Sequence, residues 1–115
     1  MLVYALAVFV VGALGGAVLA RFVLTKRFPP WFISILHASL GVTGLVLVSV
    51  SLLTDAITTA LIVAMALLVT TALTGLYLAS RHYRNMLTPK ALVFVHASFA
   101  LSFLLLLSGT VFGII

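Results

Sequence analysis

Apolar residues fill four stretches of roughly twenty positions, about Leu2–Ala20, Trp31–Leu53, Ala56–Ala79 and Ala91–Ile115, and polar residues collect between them. At 1.5 Å per residue, a helix of that length crosses a hydrocarbon core about 30 Å thick. A lipid-exposed segment must satisfy its own backbone N–H and C=O groups, so all four stretches are expected to be helices. The Leu52-Leu53-Thr54-Asp55 sequence predicts a tight second turn, while Arg21–Pro30 and Ser80–Pro89 form longer polar links. Pro30 and Pro89 fit the first turns of spans two and four, where a missing backbone N–H costs nothing. The first span follows Met1 with no basic leader and no small-residue cleavage pattern, and is expected to be retained. The expected fold is an all-α membrane protein, a four-transmembrane-helix bundle forming one domain over residues 1–115.

Composition closes off the alternatives. Of 115 residues, 65% are hydrophobic and 6% charged, against about a quarter charged in a soluble domain. No separate catalytic domain is expected. Cysteine is absent, which removes disulfides, iron–sulfur ligation and thiolate chemistry. Three histidines and one carboxylate, Asp55, remain as reactive candidates. Arg21, Lys26 and Arg27 lie at the first link and Arg81, Arg84 and Lys90 at the third, so every basic side chain falls on one membrane face. The positive-inside bias puts that face in the cytoplasm and both termini outside, as expected for a bacterial or archaeal cytoplasmic membrane. Topology and anionic headgroups account for the net charge of +5, and no nucleic-acid partner is expected.

Sliding the chain on itself by 59 residues (96 − 37) aligns Gly16 with Gly75, Leu19-Ala20 with Leu78-Ala79, Pro30 with Pro89, and His37-Ala38-Ser39 with His96-Ala97-Ser98. The pattern reads as one helical hairpin used twice, with repeat one at about 1–56 and repeat two at about 60–115. Two spans return the chain to its starting side, so the copies are parallel and related by an axis along the membrane normal. His37 lies seven residues beyond Pro30 and His96 seven beyond Pro89, which places each imidazole about 10 Å into its helix at matching depth. Two imidazoles opposed across a four-helix bundle suit a planar metalloporphyrin, one ligand above and one below the iron.

Other residues extend that expectation. Arg21, Arg81, Arg84 and Lys90 are candidate partners for the propionates, since a guanidinium can hold a carboxylate by two charge-assisted bonds. Gly41 and Gly44 share the helical face of His37, and Gly16 and Gly75 reach a similar depth on spans one and three, so small residues there would admit a flat cofactor or a close backbone. In the second copy Ala100 and Phe103 replace Gly41 and Gly44, with Phe103 a candidate for the porphyrin edge. Each histidine also has a plainer reading as a helix–helix hydrogen-bond donor, although ionisable groups inside membranes are functional candidates by default. Ser39 and Ser98 are expected to bond back to the preceding turn. His82 is expected to be a solvated or headgroup residue.

The segments His37-Ala38-Ser39-Leu40-Gly41 and Lys90 to His96-Ala97-Ser98 resemble the small bis-histidine b-type membrane cytochromes, broadly the cytochrome b561-like group. The arrangement is also similar to one half of haem A synthase, a four-helix bundle with haem-ligating histidines on its second and fourth spans. The resemblance implies His37 and His96 as axial ligands of one haem b per chain, and electron transfer beside a quinone or another redox subunit. Two departures bear on function. Cytochrome b561 proteins have more spans and two haems, and the catalytic carboxylate of haem A synthase, one turn before a ligating histidine, corresponds here to Ser34 and Val93. Without a buried acid, independent catalysis is not expected. Any haem would be noncovalent, because no Cys-x-x-Cys-His sequence is present. The alternatives are a cofactor-free structural or accessory subunit of a membrane complex, and a small transporter, against which stand the absent buried acid and the uninterrupted spans.

Overall fold

The computed structural model describes residues 1–115 as four helices: α1 Leu2–Leu24, α2 Trp31–Thr54, α3 Thr59–Tyr83 and α4 Lys90–Val111. All four are long and apolar enough to cross a membrane. α1 runs one turn further than the pattern predicts, α3 starts three residues later and continues to Tyr83, and α4 stops at Val111. Pro30 and Pro89 sit at the N-cap positions, immediately before the first helical residue, with ψ of 136° and 135°. A proline there meets the same chemical condition as in the first turn, because no intrahelical N–H is lost.

The two longer links end their helices alike. Lys26 and Asn85 take left-handed φ values of 58° and 55°. The following amides, of Arg27 and Met86, then donate to Phe22 O and Arg81 O at 2.8 and 3.0 Å. Reversing through one left-handed residue satisfies carbonyls that a helix end would otherwise leave without a partner. At the short α2–α3 turn the Thr58 hydroxyl accepts from Leu61 N at 3.1 Å, an N-cap that fixes the start of α3.

α1 packs on α2 and α4, and α3 on α4 and α2, with the α2–α3 seam the thinnest and no backbone contact along either diagonal. Inward residues recur at alternating steps of three and four. On α2 they are Ser34, His37, Gly41, Gly44, Val48 and Ser51, and on α4 Val93, His96, Ala100, Phe103, Leu107 and Thr110, all buried or half-buried. That spacing keeps one stripe facing the bundle axis. Lipid is as apolar as these side chains, so the bundle is held by close packing and not by expulsion from water.

The packing is uneven along the axis. Ala5, Val48, Leu61, Ala64, Leu68, Phe103 and Leu107 form a core at the end that carries the termini and Asp55. Towards the longer links, Val93 is the one buried side chain. Gly44 belongs to the packed end: a Cβ built there would collide with the Phe9 ring, which itself meets Phe103 edge to face at 4.7 Å. Gly44→Ala is therefore expected to destabilise the bundle by about 1–3 kcal/mol, read as an earlier midpoint in a denaturing-detergent titration. An unchanged midpoint would show that Phe9 has room to move.

Candidate functional site

The step of seven from Pro30 to His37 and from Pro89 to His96 carries both imidazoles two turns into α2 and α4, on the inward stripes of helices that stand diagonally opposed. The ring centroids are 6.3 Å apart and the planes 77° from parallel. Each ring lies against a glycine of the helix preceding its own. A Cβ on Gly16 would be 2.9 Å from His37 Cε1, and one on Gly75 would be 3.0 Å from His96 Cε1. Both separations are tighter than ordinary carbon contacts of about 3.5 Å, so the glycines are what let the rings sit there.

The ring nitrogens divide into two roles. His37 Nδ1 is 2.8 Å from Gly12 O. A carbonyl only accepts, so Nδ1 carries the proton and donates. His96 Nδ1 is 3.0 Å from Thr74 Oγ1, whose single proton has Thr70 O at 3.0 Å and Thr71 O at 2.9 Å as acceptors. With that proton on a backbone carbonyl, Thr74 accepts from His96 Nδ1. In both rings the neutral tautomer leaves Nε2 as an acceptor with no hydrogen-bond partner. Holding Nδ1–H on a fixed oxygen is how proteins orient an imidazole whose other nitrogen is to bind a metal.

The remaining candidates are distributed differently. Gly41, one turn beyond His37, has nothing within 4 Å of a Cβ built on it, so open space adjoins the histidine pair on this face. Gly44 and Phe103 lie deeper, in the packed core with Phe9. Arg21 is in the last turn of α1 on the side away from the stripe formed by Gly16, Leu19 and Val23, and the structure does not bring it to the histidines. Arg81 Nη2 donates to Leu87 O at 2.7 Å, tying the third link to α3. Arg84 and Lys90 are exposed at the link end. Ser98 bonds back to Phe94 O at 2.7 Å as expected, whereas Ser39 makes no such bond.

His82 corrects the expectation of a solvated side chain. Its ring stacks on Trp31 with centroids 3.9 Å apart and planes within 7°, and its Nδ1 lies 3.0 Å from Ser34 Oγ. This contact joins α3 to α2 one layer nearer the links than the histidine pair, at the thinnest seam of the bundle. The sequence signal for it was the continuation of the α3 stripe from Gly75 through Leu78 to His82, which a span ending at Ala79 cuts short. Thr74 and Gly12, the partners of the two histidines, were not anticipated either, and neither carries a motif of its own.

No group of three or more His, Cys, Asp or Glu side chains converges anywhere in the bundle. Comparison with protein-family models, with curated proteins and with solved structures finds no match to this chain.

Proposed function

We propose that the chain is a bis-histidine haem b protein that carries electrons within a membrane, as a small cytochrome or as the cytochrome b subunit of a larger oxidoreductase. One observation carries the reading: two imidazoles on diagonally opposed helices, each with Nδ1 held and Nε2 uncommitted, have centroids 6.3 Å apart. Metal–imidazole nitrogen bonds run about 2 Å, and a ring centre lies ~1 Å behind its nitrogen, so two imidazoles on one metal have centroids about 6 Å apart. A pair of ligands is also too few for a structural zinc ion, which takes four from the protein. It suits a metal whose other positions are filled by a macrocycle.

Haem b, when bound, supplies a one-electron couple. His37 and His96 would hold it, with Gly12 O and Thr74 Oγ1 fixing the two imidazoles and making them better donors. Gly16 and Gly75 give the rings their places, and the open space beside Gly41 supports a flat ligand along α2. Held by both His37 and His96, the group would serve electron transfer and not oxygen binding. Of the four cations considered for the propionates, Arg84 and Lys90 are free at the link end, Arg81 is partly engaged by Leu87 O, and Arg21 faces the other way. The matched glycine–histidine pairs and helix endings of the two hairpins support reading them as one unit used twice.

A quinone is the exchange partner that a lipid-embedded carrier can reach directly. A cleft of about 230 Å³ lined by Leu73, Thr74, Tyr77 and Leu92 opens on the α3–α4 side, and its Thr74 is the residue that holds His96. The basic links are assigned to the cytoplasm by the charge bias, with a partner redox subunit docking on the helices or that face. The alternative of a cofactor-free accessory subunit rests on the same Nδ1 bonds, which tie α1 to α2 and α3 to α4, but it gives the two free Nε2 atoms no task.

Purified from a host supplied with haem, the protein is expected to show a low-spin b-type spectrum, oxidised and dithionite-reduced, with about one haem per chain. Folded protein without a Soret band under those conditions would overturn the reading in favour of the accessory subunit.

A further inference from the structure

We infer that the outward face of α1 at the link end is a binding site for the phosphate of an anionic phospholipid. Val18, Arg21, Phe22 and Thr25 follow one another at the spacing of a single helical face, and with Arg27 they line a cleft of about 480 Å³. At about 100° per residue this face is opposite the inward stripe. The cleft therefore opens to the surroundings and is separate from the histidine pair, and the inference does not depend on haem.

Three features select the ligand. Arg21 and Arg27 converge on one cleft, yet the only acidic side chain of the protein, Asp55, is at the far end of the bundle. Compensation of their charge has to come from outside the chain. Thr25 spends its hydroxyl proton on Arg21 O and Phe22 O at 2.8 and 3.1 Å, so the donors facing the cleft are guanidinium groups, which match phosphate by paired charge-assisted bonds. Below the cleft, Val18, Leu14 and Val11 continue the same face into the apolar zone, 43%, 66% and 55% exposed. A phosphate carrying acyl chains meets both parts of this surface, whereas free phosphate meets only the arginines. A second copy of the chain would bring like charges together.

The test is native mass spectrometry of the full chain, delipidated in detergent and titrated with phosphatidylglycerol or phosphatidylcholine. Phosphatidylglycerol is expected to be held about tenfold more tightly, and Arg21→Gln with Arg27→Gln to abolish the difference. Arg84→Gln with Lys90→Gln removes the same charge at the other link and is expected to leave it intact, and millimolar inorganic phosphate is expected not to displace the lipid. Val18→Trp keeps every charge, fills the cleft and is expected to weaken retention comparably, which covers the case in which the arginine variant does not fold. Equal losses in the two charge-neutralised pairs would show diffuse attraction only, and displacement by phosphate would show an anion site without lipid recognition. Either result, or full retention in Val18→Trp, would overturn the inference.

Discussion

Replacing His37 or His96 by alanine is expected to remove low-spin haem from the protein, in each case by more than the about 10–100-fold in affinity that loss of an outer partner of a metal ligand costs. Each helix contributes one ligand from the same depth, and the one other histidine, His82, lies a layer nearer the links, held by Ser34 and Trp31. The single variants should leave the bundle folded. Each substitution costs one hydrogen bond, to Gly12 O or Thr74 Oγ1, worth about 1 kcal/mol, and the core at the opposite end is untouched. The measurement is haem per folded chain with helicity recorded on the same sample. A variant retaining the full low-spin spectrum would exclude that histidine as a ligand. Equal haem loss in His82→Ala would instead trace the effect to the α2–α3 seam.

The parts legible in the sequence were those governed by local rules. Span length and charge bias located four helices and put all the cations at one end, and the prolines before α2 and α4 set the depth of His37 and His96. What escaped depended on helix ends and on neighbours distant in the chain. A polar run reads as a link, yet Arg21 and Arg81 are helical, and the extra turns decide that Arg21 faces outward and that His82 faces Ser34. Gly44 and Gly41 look equivalent one turn apart, but Phe9 from α1 covers the first and nothing covers the second. A packing partner on another helix leaves no mark in the spacing of the glycines it covers. The same holds for Gly12 O, a backbone acceptor that any residue type could have supplied.

That difference between two glycines yields the most discriminating substitution. Gly41→Leu adds a side chain where a Cβ meets nothing beyond its own helix backbone within 4 Å, and leucine favours a helix over glycine by up to about 1 kcal/mol. In a chain whose histidines merely brace the bundle, the variant should be neutral or slightly stabilised. If a flat cofactor lies along α2 beside His37, the leucine occupies its place, and haem content should fall about tenfold or more while both ligands remain. Gly16→Val is the contrasting control. Its first added carbon falls 2.9 Å from His37 Cε1, so it should displace the ring, weaken the Gly12 bond and lower both haem content and the stability of the haem-free chain. The two readouts, haem per chain and the detergent-denaturation midpoint of apoprotein, therefore separate blocked space from a disturbed ligand. Full haem content in Gly41→Leu would move the cofactor off this face of α2.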